Sequence, residues 1–141
     1  MSYRILTSTY AQYQSGIQLV RRKVFIEEQG IDPALEWDKF DDGAVFAVAL
    51  NPQDEVIGTA RLLPQGKIGR MAVLIEYRRQ GIASALLQQL LDVAKQQGHQ
   101  RISLSAQQSL TDFYLKHGFA PIGQPHVEAG IPHQNMQRNM G

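Results

Sequence analysis

The segment Arg78-Arg79-Gln80-Gly81-Ile82-Ala83 stands between a strand-like run and the most regular helical pattern in the chain. The first turn of a helix carries N–H groups with no partner inside the helix, at the positive end of its dipole. An anion can therefore bind there through the backbone alone. Gly81 and Ala83 would leave that backbone open to a bulky diphosphate, and Arg78 and Arg79 would add charge. The phosphate motif GxxxxGK[ST] is absent, as is GxGxxG after a strand. Charge is unevenly spread. Seven acids (Glu27, Glu28, Asp32, Glu36, Asp38, Asp41, Asp42) against Lys39 give Glu27–Asp42 a net −6, and five bases against Glu76 give Arg61–Arg79 a net +4. One stretch could draw a cation and the other an anion, although a solvated surface has the same composition.

The elements that would position these residues follow from periodicity. Tyr3–Leu6 is a short strand. Tyr13, Ile17, Val20 and Val24 recur at helical spacing, with Arg21, Arg22 and Glu28 on other faces, which predicts one amphipathic helix of about 18 residues ending near Gly30. Ile31–Gly43 reads as a loop or short helical turn. Ala44–Leu50, Val56–Leu63 and Ile68–Ile75 are apolar runs separated by Asn51-Pro52-Gln53-Asp54 and Pro64-Gln65-Gly66, an antiparallel meander. Ile82, Leu86, Leu90 and Ala94 mark the clearest helix, closed by Gly98. Arg101–Ser105 is a strand, Leu110–Lys116 a short helix, and two weaker strands lie in the tail. The order β-α-β-β-β-α-β-α-β-β predicts an α/β (α+β) fold, a mixed sheet with helices packed against it.

The 141 residues, 43% hydrophobic and 19% charged, suit a single domain spanning 1–141. With no cysteine, a disulfide framework, a cysteine-ligated metal and acyl transfer through a cysteine thioester are excluded. Four scattered histidines offer no metal site. A net charge of +1 argues against a nucleic-acid partner held by bulk charge. No apolar run approaches the roughly 18 residues of a membrane span, and Met1–Thr9 lacks a signal-peptide core. No membrane association and a cytoplasmic location are the expectations.

Arg78–Ala83 matches the Q/R-x-x-G-x-G/A signature of the GNAT superfamily of N-acetyltransferases, after the strand Arg70-Met71-Ala72-Val73-Leu74 and before a long helix. Phe113-Tyr114-Leu115-Lys116-His117-Gly118-Phe119 carries that family's tyrosine ahead of Gly-Phe. Arg22–Gln29 and Glu128-Ala129-Gly130-Ile131-Pro132-His133 resemble the ElaA-like subgroup. The resemblance covers nearly the whole chain. It implies a mixed, mostly antiparallel sheet of about six to seven strands, splayed near its middle, with helices on both faces.

The resemblance also implies roles. Arg78, Arg79, Gln80, Gly81, Ile82 and Ala83 would cradle the coenzyme A pyrophosphate, with Ser84 adding a hydroxyl contact. Met71, Ala72 and Val73 would pair with the pantetheine arm, and an N–H near Val73 would stabilise the thioester oxygen. Gln107 stands where many relatives carry a pantetheine-contacting Asn. Tyr114 would be the general acid that protonates the departing thiolate, against its reading as a core aromatic. Glu28 leads the candidates for proton acceptor, ahead of Glu27, Asp38, Asp41 and Asp42. His133 reads as a structural hydrogen bond or an acceptor-site contact. Phe46 stands where subgroup relatives often carry His, a departure that touches the acceptor. The implied activity is acetyl-CoA-dependent transfer to a primary amine, on a small molecule or a peptide, through a ternary complex. A catalytically silent acyl-CoA sensor or partner-binding module on the same fold is the alternative, and a homodimer is expected by analogy.

Overall fold

The computed structural model describes residues 2–141. Strand β1 (Arg4–Ser8) leads through a 3-10 turn to helix α1 (Gln14–Arg21), which runs on as a π-helical segment, Arg22–Glu28. A one-turn helix, α2 (Pro33–Glu36), starts where the Asp32 carboxylate accepts from the Ala34 N–H at 2.9 Å. The meander follows as β2 (Val45–Leu50), β3 (Val56–Leu62) and β4 (Lys67–Val73). Then come α3 (Ile82–Gln96), β5 (Arg101–Gln107), α4 (Thr111–Lys116), β6 (Ala120–Pro121), β7 (His126–Glu128) and β8 (Ile131–Asn139).

One sheet holds all eight strands, in the order β1-β2-β3-β4-β5-β8-β6, with β7 also paired to β8. Every pairing is antiparallel except β4 with β5. The tail has three strands where periodicity predicts two, because the two-residue β6 is too short to show any alternation.

Every residue of β3, and Phe46–Leu50 of β2, is buried. Such continuous burial needs cover on both faces of the sheet, and α1 and α3 supply it. The α3 stripe of Ile82, Leu86, Leu87, Leu90, Leu91 and Ala94 is buried as its spacing predicts. Gly58 lets that helix sit close to β3: a Cβ there would lie 3.2 Å from Ile82 and Leu86 side-chain carbons. The first helix departs from its prediction. Ile17, Val20 and Val24 are buried as expected, but so is Arg21, at 0% exposure. The turns widen after Arg21, with the Gln29 N–H bonding five residues back to the Val24 carbonyl at 3.1 Å. That change of period rotates Glu28 and Gln29 over the end of the sheet.

Candidate active site

Strands β4 and β5 pair only at Lys67↔Ser103 and Ile68↔Leu104, and part beyond that point. The cause lies in β4. Its register against β3 slips between Thr59 and Arg61, leaving an extra residue in β4, and Arg70 takes a φ of +50°. Such a bulge bends a strand away from its neighbour. Leu74 N–H donates to the Ile57 carbonyl of β3. Backbone groups alternate along a strand, so Val73 turns its own N–H and C=O toward the open side. Arg78 Nε takes that carbonyl at 2.9 Å. The parted strands flank a cleft of about 480 Å³ lined by Met71, Ala72, Val73, Gln107 and Tyr114, among others.

At one end of this cleft lies the start of α3. Arg79 and Gly81 have φ of +65° and +82°, and no side chain caps the helix. The first helical bond is Ala85 N–H to the Gly81 carbonyl, so the amides ahead of it are not used by the helix. A Cβ on Gly81 would meet nothing nearer than the Tyr3 hydroxyl at 3.8 Å, so a side chain would project into open space there. Arg78, Arg79, Gly81, Ile82, Ala83 and Ser84 all border the cleft, whereas Gln80 does not. Ser84 Oγ lies 3.1 Å from His117 Nε2. Desolvation, with Arg138 nearby, holds the His117 ring below its usual pKa.

Tyr114 is 7% exposed and packs edge-on against Phe113 and Phe119. The only hydrogen-bonding contact of its hydroxyl among the described residues is to Met71 Sδ, 4.0 Å away. Burial pushes the phenol up to about 12. A second hollow of about 350 Å³ adjoins the cleft and shares Gln29, Met71, Gln107, Leu110 and Tyr114 with it. The Tyr114 ring is packed as a core aromatic, and the residue also borders both cavities. Gln107 ends β5 between the two cavities and exchanges amide hydrogen bonds with Gln29 at 2.8 and 3.4 Å. Glu28 stands at the rim, gripped by Arg78 through two bonds of 2.7 and 2.8 Å. That pair lowers the Glu28 carboxyl, so in this arrangement it clamps Arg78 and is a poor proton acceptor.

The inner part of the acidic stretch is neutralised by arginines instead of facing a cationic substrate. Arg21 donates to Glu36 at 2.7 Å and Asp41 at 2.8 Å, and Arg61 to Asp38 at 2.7 Å and Asp41 at 2.8 Å. Arg70 reaches Glu36 and Asp38 at 3.3 and 3.2 Å. Three arginines offset three acids, which removes Asp38 and Asp41 as proton acceptors and takes Arg61 and Arg70 out of any anion site. Charge runs in sequence had no means of revealing that they neutralise each other. Phe46, the departure from the subgroup pattern, is 0% exposed against Tyr10 and borders neither cavity. His133 borders the second hollow together with Glu128, a residue whose type and position gave no separate signal. Among the described residues, no group of three or more His, Asp or Glu could hold a metal ion, and no helix is long and apolar enough to cross a membrane.

A bulged β4, a parted β4–β5 pair and an uncapped helix after the bulge form the frame of an acyl-CoA-type transferase. Residues 11–140 match the family described as acetyltransferase (GNAT) domain, and the chain belongs to that family. Protein YyaT of Bacillus subtilis is 31% identical over 126 residues, covering 86% of this chain and 85% of its own. An acyl-CoA N-acyltransferase structure from Pseudomonas aeruginosa superposes with a TM-score of 0.85 at 26% identity, covering 97% of this chain and 99% of that one. Escherichia coli ElaA superposes with a TM-score of 0.86 at 24% identity, over 98% of this chain and 100% of ElaA. Its sequence is 30% identical over 94 residues, 62% of this chain and 61% of its own. Within the family the chain falls in the ElaA-like subgroup.

Proposed function

We propose that this protein transfers an acetyl group from acetyl-CoA directly to a primary amine, with both substrates bound together. The observation that carries the reading is the cleft between the parted strands: it runs from the uncapped start of α3 to Tyr114, where a second cavity adjoins it. The donor fits the residues present. A diphosphate has the free amides near Gly81 and the Arg79 side chain, and the apolar, backbone-rich wall at Met71–Val73 suits an extended amide-bearing arm. The kinship with a P. aeruginosa acyl-CoA N-acyltransferase supports an acyl-CoA donor.

In this reading the Val73 N–H faces the thioester oxygen and stabilises the charge that develops on it. Arg78, bound to the Val73 carbonyl and to Glu28, holds that strand end in place. Tyr114, protonated at neutral pH, donates to the sulfur as the carbon–sulfur bond breaks. With no cysteine in the chain to carry an acetyl group, the amine attacks the thioester itself. Calorimetric titration with acetyl-CoA, followed by thiol release with an amine panel, tests the reading. Binding without amine-dependent release would favour a silent acyl-CoA sensor, and no binding would remove the acetyltransferase reading.

A further inference from the structure

The second hollow carries an arrangement that the reaction above leaves unused. β7 and β8 are joined by Ala129 and Gly130, with φ of +51° and +76°, the two-residue turn whose twist matches a hairpin. It sets the pairs His126↔His133 and Glu128↔Ile131, and strand alternation then puts His126, Glu128 and His133 on one face. His126 Nε2 is 2.7 Å from Glu128 Oε1, to which Ser105 Oγ donates at 2.8 Å.

His133 is 8% exposed, and its Nδ1 lies 2.7 Å from the Ile131 carbonyl oxygen. A carbonyl can only accept, so Nδ1 carries a proton, and in the uncharged form of the ring Nε2 is the nitrogen that presents a lone pair. That nitrogen is 3.9 Å from Glu128 Oε2, too far for a hydrogen bond between them, so both atoms remain open to a third group. The other carboxylate bordering this hollow, Glu36, is spent on Arg21 and Arg70. Glu128 pairs only with histidines among the described residues. Burial would raise its carboxyl, but bonds from His126 and Ser105 hold it below the usual range, so it stays ionised. Phe25, Ile31, Leu35 and Leu104 supply apolar wall, while Lys67 and the Glu36- and Asp38-paired Arg70 also border the hollow.

We propose that His133 and Glu128 form the acceptor end of the site, taking a primary amine borne on an apolar chain. This rests on the acetyltransferase reading above. Glu128 receives the ammonium, and His133 Nε2 takes one proton from it. The freed nitrogen lone pair bonds to the thioester carbonyl carbon, and the carbon–sulfur bond breaks with its electron pair on sulfur. Sulfur takes the Tyr114 proton, and the surplus proton on the new amide nitrogen restores Tyr114. The products are an amide, a thiol and one proton, which leaves from His133. Glu128 steadies the transient imidazolium.

The test measures thiol release with hexylamine and phenethylamine, with spermidine as a polycationic contrast, alongside calorimetry with acetyl-CoA. Wild type, Glu128→Gln and His133→Gln should bind acetyl-CoA equally. His133→Gln should lower kcat about a hundredfold, and Glu128→Gln should raise the amine KM about tenfold. Glu128 is half exposed, so its variant folds whatever happens at the buried His133. An unchanged kcat/KM for amine in Glu128→Gln overturns the proposal. So does wild-type protein that releases thiol with spermidine in preference to hexylamine and phenethylamine. Wild-type protein that fails to bind acetyl-CoA overturns instead the reading on which the proposal rests.

Discussion

Replacing Tyr114 by Phe removes one oxygen from a packed site. The phenol sits at 7% exposure with no strong hydrogen-bond partner, its closest being Met71 Sδ at 4.0 Å. Deleting it therefore strands no buried donor or acceptor, and the ring contacts with Phe113 and Phe119 persist. Stability at neutral pH should change by no more than about 1 kcal/mol. Turnover should respond far more. Loss of a positioned general acid costs about 10²–10⁴-fold, or roughly 3–5 kcal/mol in the barrier. The perturbed pKa supplies a second, independent readout. Tyr114 titrates at about 12 when folded, against about 10 for an unfolded tyrosine. A folded value raised in this way contributes stability that is complete below pH 10 and is lost as pH rises to about 12. At about 1.4 kcal/mol per unit the loss reaches roughly 3 kcal/mol, and Tyr114→Phe should lack it. The assays are amine-dependent thiol release, calorimetric acetyl-CoA affinity, and denaturant midpoints between pH 8 and 12. A variant with wild-type kcat refutes the acid role. One that loses acetyl-CoA affinity in step with kcat would assign Tyr114 to donor binding.

Gly81→Glu should abolish measurable acetyl-CoA binding in calorimetry, since it sets a carboxylate on the amides meant for the pyrophosphate. Gly81→Ala carries the same backbone strain at φ +82°, about 1–2 kcal/mol, without the charge, and should bind; equal loss in both would point to strain. Arg61→Ala should destabilise by up to about 3–5 kcal/mol, because the buried Asp41 and the partly buried Asp38 lose the partner they share and keep only Arg21 and Arg70, whereas Arg78→Ala, at the half-exposed Glu28 pair, should cost under about 1 kcal/mol. Thermal melts compare the two, and similar shifts would contradict the network. Burial works against ionised Asp38, but the Arg61 pair and the Phe40 N–H outweigh it and hold its pKa at about 2. Its contribution is therefore present above the ordinary value near 3.9 and fades as pH falls toward 2, by roughly 2–3 kcal/mol in all. Acid titration of stability should show that slope in wild type and lose it in Asp38→Asn. Initial rates with donor and amine varied should intersect; parallel lines would require an acetyl-enzyme.

What sequence determined was whatever depends on neighbours along the chain. The period of Ile82, Leu86, Leu90 and Ala94 marks helix and buried face together, and Gly81 before it marks a turn with open backbone. The spacing from Arg78 to Ala83 and Tyr114 ahead of Gly118-Phe119, together with Arg22–Gln29, Glu128–His133 and the element order, named the family. What tertiary structure decided was pairing across distance. Arg21 read as a surface residue because periodicity carries no information about Glu36 and Asp41, which bury it 15 and 20 positions away. The −6 and +4 stretches looked like two binding surfaces, yet Glu36, Asp38 and Asp41 of the first meet Arg61 and Arg70 of the second, together with Arg21, in one network, since charge counts know nothing of partners. The parting of β4 and β5 rests on a bulge at Arg70 that no apolar pattern encodes. His133 shows the same limit at atomic scale. Its residue type permits either nitrogen to carry the proton, and only the Ile131 carbonyl, brought close by the β7–β8 turn, leaves the lone pair on Nε2.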